Sequence, residues 1–207
     1  MSTTPQNVEQ ALVELGRTLS DEQILRDADI LEQYSSDASE AAPHLPHAVI
    51  RARSTKDISA VMRIASKHRV PVTPRGAGTG RSGGAIPVAG GFVLSIDRMQ
   101  QIKGIETTDL IAVVEPGVIT GNLHRAVEAQ GLFYPPDPNS LDSCTLAGNI
   151  AENAGGPRVF KYGPTRHYIL GLEIVTADGS ILSVGKRTIK GVTGYDLTAL
   201  IVGSEGT

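Results

Sequence analysis

The stretch TPRGAGTGRSGGA, residues 73–85, offers little except backbone. Five glycines, Arg75 and Arg81, and hydroxyls at Thr79 and Ser82 follow one apolar run and precede another. Successive glycines let several N–H groups turn toward one anion without side-chain obstruction, which makes a nest. The arginines add positive potential. So many donors suit a diphosphate better than a single carboxylate. Two other phosphate loops fit less well. A dinucleotide fingerprint needs G-x-G-x-x-G opening a helix, whereas Gly76, Gly78 and Gly80 give G-x-G-x-G and SGGAIP then blocks a helix. A P-loop needs Gly-Lys-Ser/Thr at a helix start, whereas Gly80-Arg81-Ser82 lacks both the glycine five residues earlier and the helix. A glycine-rich hairpin that binds nothing is the remaining alternative.

Three further clusters of small residues favour a ligand. VEPGV (114–118) ends an apolar run, TLAGNIAENAGG (145–156) adds two asparagines, and GSEGT (203–207) follows the last apolar segment. Small side chains allow a ligand to reach backbone donors, and Asn149 and Asn153 can offer both donor and acceptor to a heterocycle edge. Four such loops, each ending a periodic element, suit one extended polar ligand in a cleft between lobes. A dinucleotide has that length and polarity.

The elements that must position these loops can be read from periodicity. Residues 6–33 show helical spacing interrupted by Gly16 and TLSDEQ, with Ser20 or Asp21 capping a second helix through Ile24, Leu25, Ile30 and Leu31. STKDISAVMRIASKHRV is the strongest helical segment, capped by Ser54 or Thr55, with Ile58, Val61, Met62, Ile64 and Ala65 on one face. AVIRA, VPVTP, GFVLSI, MQQIKGIE and LIAVV read as strands, and Thr120 caps a helix that stops at Gly131. YPPDPNSLDS is too rich in proline for regular structure. TLAGNIAENAGG holds one or two helical turns beginning near Asp142–Thr145. ILGLEIVTADGSILSVG is a hairpin turning at Ala-Asp-Gly, and GYDLTALIVG is a closing helix. Helices mix with short strands without strict alternation, which predicts an α+β fold with a division near residue 105.

Composition narrows the function classes. The chain has 207 residues, 40% of them apolar, and a formal net charge of −3. Nothing in that balance attracts nucleic acid or an anionic membrane. No apolar run is long enough to cross a bilayer, and MSTTPQNVEQALVEL lacks the basic start and apolar core of a secretion signal. A cytoplasmic location is expected. One cysteine excludes an internal disulfide and a cysteine-ligated iron–sulfur cluster within the chain.

Several stretches together resemble a known family. PVTPRGAGTGRSGGA, VEPGV, YPPDPNS, GNIAENAGGPR, KYGPTRHYILGLEIVTADG and TGYDLTALIVGSEGT are similar, in order and spacing, to the FAD-binding domain of FAD-linked 2-hydroxy-acid oxidoreductases. The glycolate oxidase flavin subunit and D-lactate dehydrogenases are the nearest types, within the vanillyl-alcohol-oxidase (PCMH-type) flavoproteins. The resemblance runs from Ala48 to Thr207. It implies a two-subdomain α+β domain with FAD between the halves: an N-terminal helical segment and loop at 1–47, a first FAD-binding subdomain at 48–105 and a second at 106–207.

The resemblance also assigns residues. Pro74, Arg75, Gly76, Ala77, Gly78, Thr79, Gly80, Ser82 and Gly83 would bind the pyrophosphate through backbone amides. Thr145, Gly148 and Asn149 would approach the pyrophosphate and ribityl chain. Asn153, Ala154, Gly155 and the Tyr162-Gly163 turn would lie along the flavin. Glu115, Pro116 and Gly117, with Glu205 and Gly206, would lie along the adenosine side, and Pro136, Asp137 and Pro138 would border the cleft. Read on their chemistry alone, Arg158 and Lys161 are candidates for a positive charge near the flavin pyrimidine that stabilises the reduced ring, with two solvated cations as the alternative.

The implied reaction oxidises a small 2-hydroxy acid to the 2-oxo acid, with hydride passing to flavin N5 and electrons then leaving to a separate acceptor, an iron–sulfur partner subunit among the candidates. Two departures from the family shape this expectation. Some relatives hold FAD covalently through a histidine in or beside the glycine loop; residues 74–91 contain none, so dissociable FAD is expected. The family pattern also continues past GSEGT into a C-terminal domain with the substrate pocket, a histidine base and divalent-metal ligands. That domain is absent from this sequence, so neither a catalytic base nor a metal site is assigned and the chain is read as a fragment. The alternatives are an FAD-binding module without turnover, and a flavin reductase of the same fold such as that of peptidoglycan precursor synthesis. Cys144 reads as a small buried thiol, His44 and His47 as surface residues, and His167 is not assigned as a base.

Overall fold

The computed structural model describes residues 4–206. Residues 1–3 and Thr207, the outermost parts of the expected N-terminal segment and second subdomain, lie outside the described residues. Two compact units are found: residues 1–98 with 174–182, and residues 99–173 with 183–207.

In the first unit, the Thr4 hydroxyl accepts from the Asn7 amide and Pro5 starts helix α1 (Pro5–Leu15), since proline's missing N–H is unneeded there. Its Val8, Ala11, Leu12 and Leu15 are buried, as an i, i+3, i+4, i+7 stripe requires. A 3₁₀ turn at Asp21–Gln23 follows, closed by a reciprocal cap between Ser20 and Gln23. Ile24 and Leu25 then form a short strand, β1 (Ile24–Leu25), and helix α2 is only Ala28–Gln33. The single helix expected through these residues is therefore replaced by turn, strand and short helix. Two adjacent β-favouring residues pair antiparallel with Ile50 and Val49 of β2 (Ala48–Arg51), and that edge pairing outcompetes weak helical spacing.

Helix α3 (Thr55–His68) is capped by Ser54, whose hydroxyl accepts from the Asp57 amide, and ends at Arg69 in a left-handed conformation. Strands β3 (Val72–Arg75) and β4 (Phe92–Ser95) complete a sheet of order β1-β2-β4-β3, with β4 parallel to both β2 and β3. Val49, Ile50, Phe92 and Val93 are fully buried with Leu15 and Val61. An apolar run buried on both faces marks a central parallel strand. The sheet fixes the start of the glycine loop, which leaves β3 at Arg75 and returns to β4.

The second unit opens with an antiparallel pair, β5 (Ile102–Glu106) and β6 (Ile111–Val114). Helix α4 (Thr120–Glu128) begins after Ile119, so Thr120 lies inside the first turn and is not its cap. Its hydroxyl is committed to a buried network described below. Helix α5 (Leu146–Glu152) is capped by Thr145, which accepts from the Gly148 amide. Val118, Leu123, Val127 and Leu146 form the core, with Ile102, Ile105, Val114 and Tyr134 packed against it. A one-turn helix α6 (Val159–Tyr162) and a 3₁₀ turn at Thr165–Tyr168 follow. The expected hairpin is present as β7 (Gly171–Val175) and β8 (Ile181–Gly185). Helix α7 (Leu197–Ile201) is capped by Asp196. The fold is α+β, and among the described residues no helix is long and apolar enough to cross a membrane.

Candidate functional site

In the first unit the glycine loop is an open run of backbone donors. Among the described residues, no partner is found for the amides of Gly76, Ala77, Gly78, Thr79, Gly80 and Arg81. Each of these residues is at least partly exposed. Six consecutive N–H groups unpaired by protein are unusual, because folded chains satisfy nearly all backbone donors. They are the groups a nest turns on an anion. Gly78 has φ +69, and a Cβ there would fall on the Arg75 guanidinium, so both its backbone angle and its surroundings require glycine.

The Arg75 side chain, expected to add positive potential to the loop, is engaged within the protein. Its Nη1 donates to the carbonyls of Ser36, at 2.7 Å, and Ala85, at 3.4 Å, and its guanidinium lies over the Tyr34 ring, 5.2 Å from the centroid. Burial pulls the guanidinium pKa down, and the nearby Tyr34 and Asp37 act the other way. Asp37 holds the other side of the loop. One carboxylate oxygen accepts from the Ser39 amide at 2.9 Å and the other from the Ala85 amide at 3.4 Å. Burial would raise the Asp37 pKa, but bonds from Ser39 and Ala85 and the charge of Arg75 lower it below the ordinary carboxylate range. The Ala38 amide donates to the Gly78 carbonyl at 3.0 Å. Residues 34–38 were legible only as part of an irregular loop. Tyr-Ser-Ser-Asp ahead of prolines was the available signal, because an aspartate two residues before a serine favours an Asx turn.

In the second unit the predicted residues meet around α5. The segments before α4 and α5 are zipped together: the amides of Thr120 and Gly121 donate to the carbonyls of Cys144 and Leu141, and those of Leu146 and Ala147 to Val118 and Pro116. The Thr120 hydroxyl, fully buried, accepts from the Asn149 side-chain amide at 2.6 Å and from the Cys144 thiol at 3.3 Å. Asn149 is only 3% exposed, and its side-chain NH2 is committed to Thr120 inside the fold. Glu115 is likewise engaged. Its carboxylate accepts from the Gln101 amide at 2.9 Å and lies 3.6 Å from Lys103 Nζ. Pro116 lies against Ala147 at the start of α5, whereas the Glu205 amide donates to Ala151 near its end. The two groups assigned to the adenosine side therefore meet opposite ends of this helix.

The C-terminal end of α5 turns sharply at Asn153, whose side chain accepts from the Arg166 amide at 2.9 Å. Ala154 accepts from both the amide and hydroxyl of Thr165. Gly155 and Gly156, with Pro138, Asn139 and Pro157, line an open cavity of about 480 Å³. At Gly156 φ is +141, and a Cβ would overlap the Asp137 carbonyl. Asp137 accepts from the Arg158 amide at 3.0 Å and pairs with its Nε at 3.3 Å. The guanidinium lies over Phe133, 5.2 Å from the ring centroid, and Phe133 meets Tyr162 edge-on at 5.6 Å. Lys161 Nζ stands over the Tyr162 ring at 4.9 Å. Pro136 accepts from the buried His124 ring at 2.8 Å. Gly163 closes α6 against the His167 ring. Pro138 and Gly155 thus line the cavity, and Asp137, Arg158, Phe133 and Tyr162 form a connected polar and aromatic patch. Among the described residues no group of three His, Cys, Asp or Glu side chains is placed to hold a metal.

The family model of the FAD-binding domain matches residues 46–185. Glycolate oxidase subunit GlcD of Bacillus subtilis is 53% identical over 174 residues, which is 84% of this chain and 37% of that protein. D-2-hydroxyglutarate dehydrogenase of Stutzerimonas stutzeri is 39% identical over 198 residues, 96% of this chain and 41% of that protein. The chain thus spans about two fifths of the length of these relatives. Among solved structures, substrate-bound p-cresol methylhydroxylase superposes with a TM-score of 0.82 at 22% identity, over 97% of this chain and 41% of that one, a likeness of fold.

Proposed function

The chain belongs to the FAD-binding domain family, and from that membership we propose that it is the cofactor-holding portion of a flavoprotein that oxidises a small 2-hydroxy acid to the 2-oxo acid. One observation carries the assignment: the six amides from Gly76 to Arg81 have no partner among the described residues and stand open to an anion with several oxygens. The diphosphate of FAD fits that donor set, because each phosphate oxygen accepts bonds and backbone donors need no reorganisation to give them. A lone carboxylate would leave most of the donors unmet.

In this reading the loop from Pro74 to Gly83 holds the pyrophosphate through its backbone, with Ser82 beside it. In the second unit, Thr145 and Gly148 present the start of α5. Asn153, Ala154, Gly155 and the Tyr162-Gly163 turn form the surface that orients the isoalloxazine. Asn149 serves as scaffold through Thr120. Arg158 and Lys161 supply positive charge, that of Arg158 being tempered by Asp137. With no histidine between residues 74 and 91, attachment is non-covalent. When bound, FAD supplies the two-electron acceptor that hydroxy-acid oxidation requires. A separate electron acceptor, such as an iron–sulfur subunit, would then draw the electrons away. The substrate class is drawn from the glycolate and D-2-hydroxyglutarate enzymes to which the chain is similar.

The test is the visible absorbance spectrum of the purified protein, with any released cofactor identified after denaturation. A flavin spectrum with free FAD in the supernatant supports cofactor and attachment together. A colourless protein that takes up no added FAD overturns the reading.

A further inference from the structure

A loop of six residues with unpaired amides has no internal reason to keep one shape. Glycine loses more conformational freedom on ordering than any other residue, so the nest must be held from outside. Beside two internal bonds, Arg75 to the Ala85 carbonyl at 3.4 Å and the Ile86 amide to the Gly83 carbonyl at 3.1 Å, the loop is tied at three points to one short segment. Arg75, at the loop's entrance, donates to the Ser36 carbonyl at 2.7 Å and covers the Tyr34 ring at 5.2 Å. At its middle, the Gly78 carbonyl accepts from the Ala38 amide at 3.0 Å. Near its exit, the Ala85 amide donates to Asp37 at 3.4 Å and the Ala85 carbonyl accepts from Arg75 at 3.4 Å. Entrance, middle and exit are thereby fastened to residues 34–38, while the amides from 76 to 81 stay open.

We propose that Tyr34–Ala38 is a clamp that holds the glycine loop in its anion-receiving shape, with Tyr34 and Arg75 as positioning residues that act through the loop and not by contact with phosphate. The inference rests on the cofactor reading above, and it makes a separate claim. Arg75 is spent on two carbonyls and a ring, so its effect on binding is mechanical. Its Nη1 serves both carbonyls while the guanidinium lies over an aromatic face, a cationic contact that glutamine cannot reproduce.

The experiment compares wild type with Tyr34→Ala, Tyr34→Phe and Arg75→Gln. Trypsin cleavage after Arg81 is followed by mass spectrometry without ligand, and FAD and ADP are titrated separately. Tyr34→Ala and Arg75→Gln should accelerate cleavage and weaken both FAD and ADP by about tenfold, the size of a partly desolvated cation–π contact. Tyr34→Phe keeps the ring and should stay within about twofold of wild type. The loss in Arg75→Gln should persist in about 0.5 M salt, where a direct ion contact with phosphate would be largely screened. Wild-type behaviour of Tyr34→Ala, or faster cleavage with unchanged affinity for FAD and ADP, overturns the clamp. So does a loss in Arg75→Gln that vanishes at high salt. Should Tyr34→Ala fail to fold, Tyr34→Leu keeps the apolar bulk and serves the same comparison with Tyr34→Phe. Cleavage needs no ligand, so a protein that takes up no FAD but shows the cleavage pattern sinks the cofactor reading and leaves the clamp standing.

Discussion

The side-chain amide of Asn149 donates to the hydroxyl of Thr120 at 2.6 Å, and both residues are buried. Thr120 opens α4 and Asn149 lies within α5, so one bond ties these two helices of the second unit together. The Cys144 thiol donates to the same hydroxyl, which makes Thr120 the shared acceptor of the group.

That relationship predicts an asymmetric pair of variants. Asn149→Ala should cost about 1–3 kcal/mol of stability, the usual loss for a buried hydrogen bond whose partner stays behind. Thr120→Val keeps the shape but strands the Asn149 amide, and should cost at least as much. The double variant strands neither group. Its loss in urea unfolding should therefore fall below the sum of the two single losses. Simple additivity would mean that the bond contributes nothing in solution.

Gly156→Ala should disturb the surface beside the cavity. A residue at φ +141 has almost no allowed conformation unless it is glycine, and strain of this kind costs about 1–3 kcal/mol. The new methyl would also overlap the Asp137 carbonyl and crowd its carboxylate, which pairs with Arg158. The expected outcome is a lower urea midpoint and a changed environment for Phe133, over which the Arg158 guanidinium lies. An unaltered midpoint would show that the Pro136–Pro138 segment gives way freely.

Gly78→Val tests the nest itself. The β-branched side chain resists positive φ, and its Cβ would occupy the place of the Arg75 guanidinium. Loss of FAD uptake is expected, read from absorbance after gel filtration, with far-UV circular dichroism unchanged because Gly78 lies outside every helix and strand. Normal uptake would place the phosphate elsewhere.

Sequence patterning disclosed what is local and repetitive. The Ser54 cap and the 61, 64, 65 face of α3 follow from spacing alone, as does the turn at Ala177-Asp178-Gly179. The glycine loop was visible because only a ligand or a tight turn explains so many glycines. Ile24 and Leu25 were misread because two residues cannot show a period, and their strand exists only through Ile50 and Val49. The inward turn of Asn149 was hidden for a similar reason. An asparagine can face a ligand or a buried hydroxyl, and the deciding partner lies 29 residues away. Arg75 shows the same limit, since a cation in a phosphate-type loop gives no sign that two carbonyls and a ring already hold it.

The hairpin tip carries a pH prediction. Asp178 accepts from the Thr176 hydroxyl at 2.5 Å, from the Ser180 amide at 3.0 Å and from the Ser180 hydroxyl at 2.9 Å. The Thr176 bond first, and then the two from Ser180, pull its carboxyl down to about 2. The folded value thus lies below the unfolded one, which is about 3.9. Stabilisation of the turn is fully present above the unfolded value and is lost as pH falls through about 2. A carboxyl titration by NMR should show Asp178 still largely ionised at pH 3. Thr176→Val removes the largest cause and should move the midpoint upward, whereas Asp178→Asn should abolish the acid-linked change at the Ser180 amide. An ordinary midpoint in the wild type would mean that the three bonds do not persist in solution and that the hairpin turns on Gly179 alone.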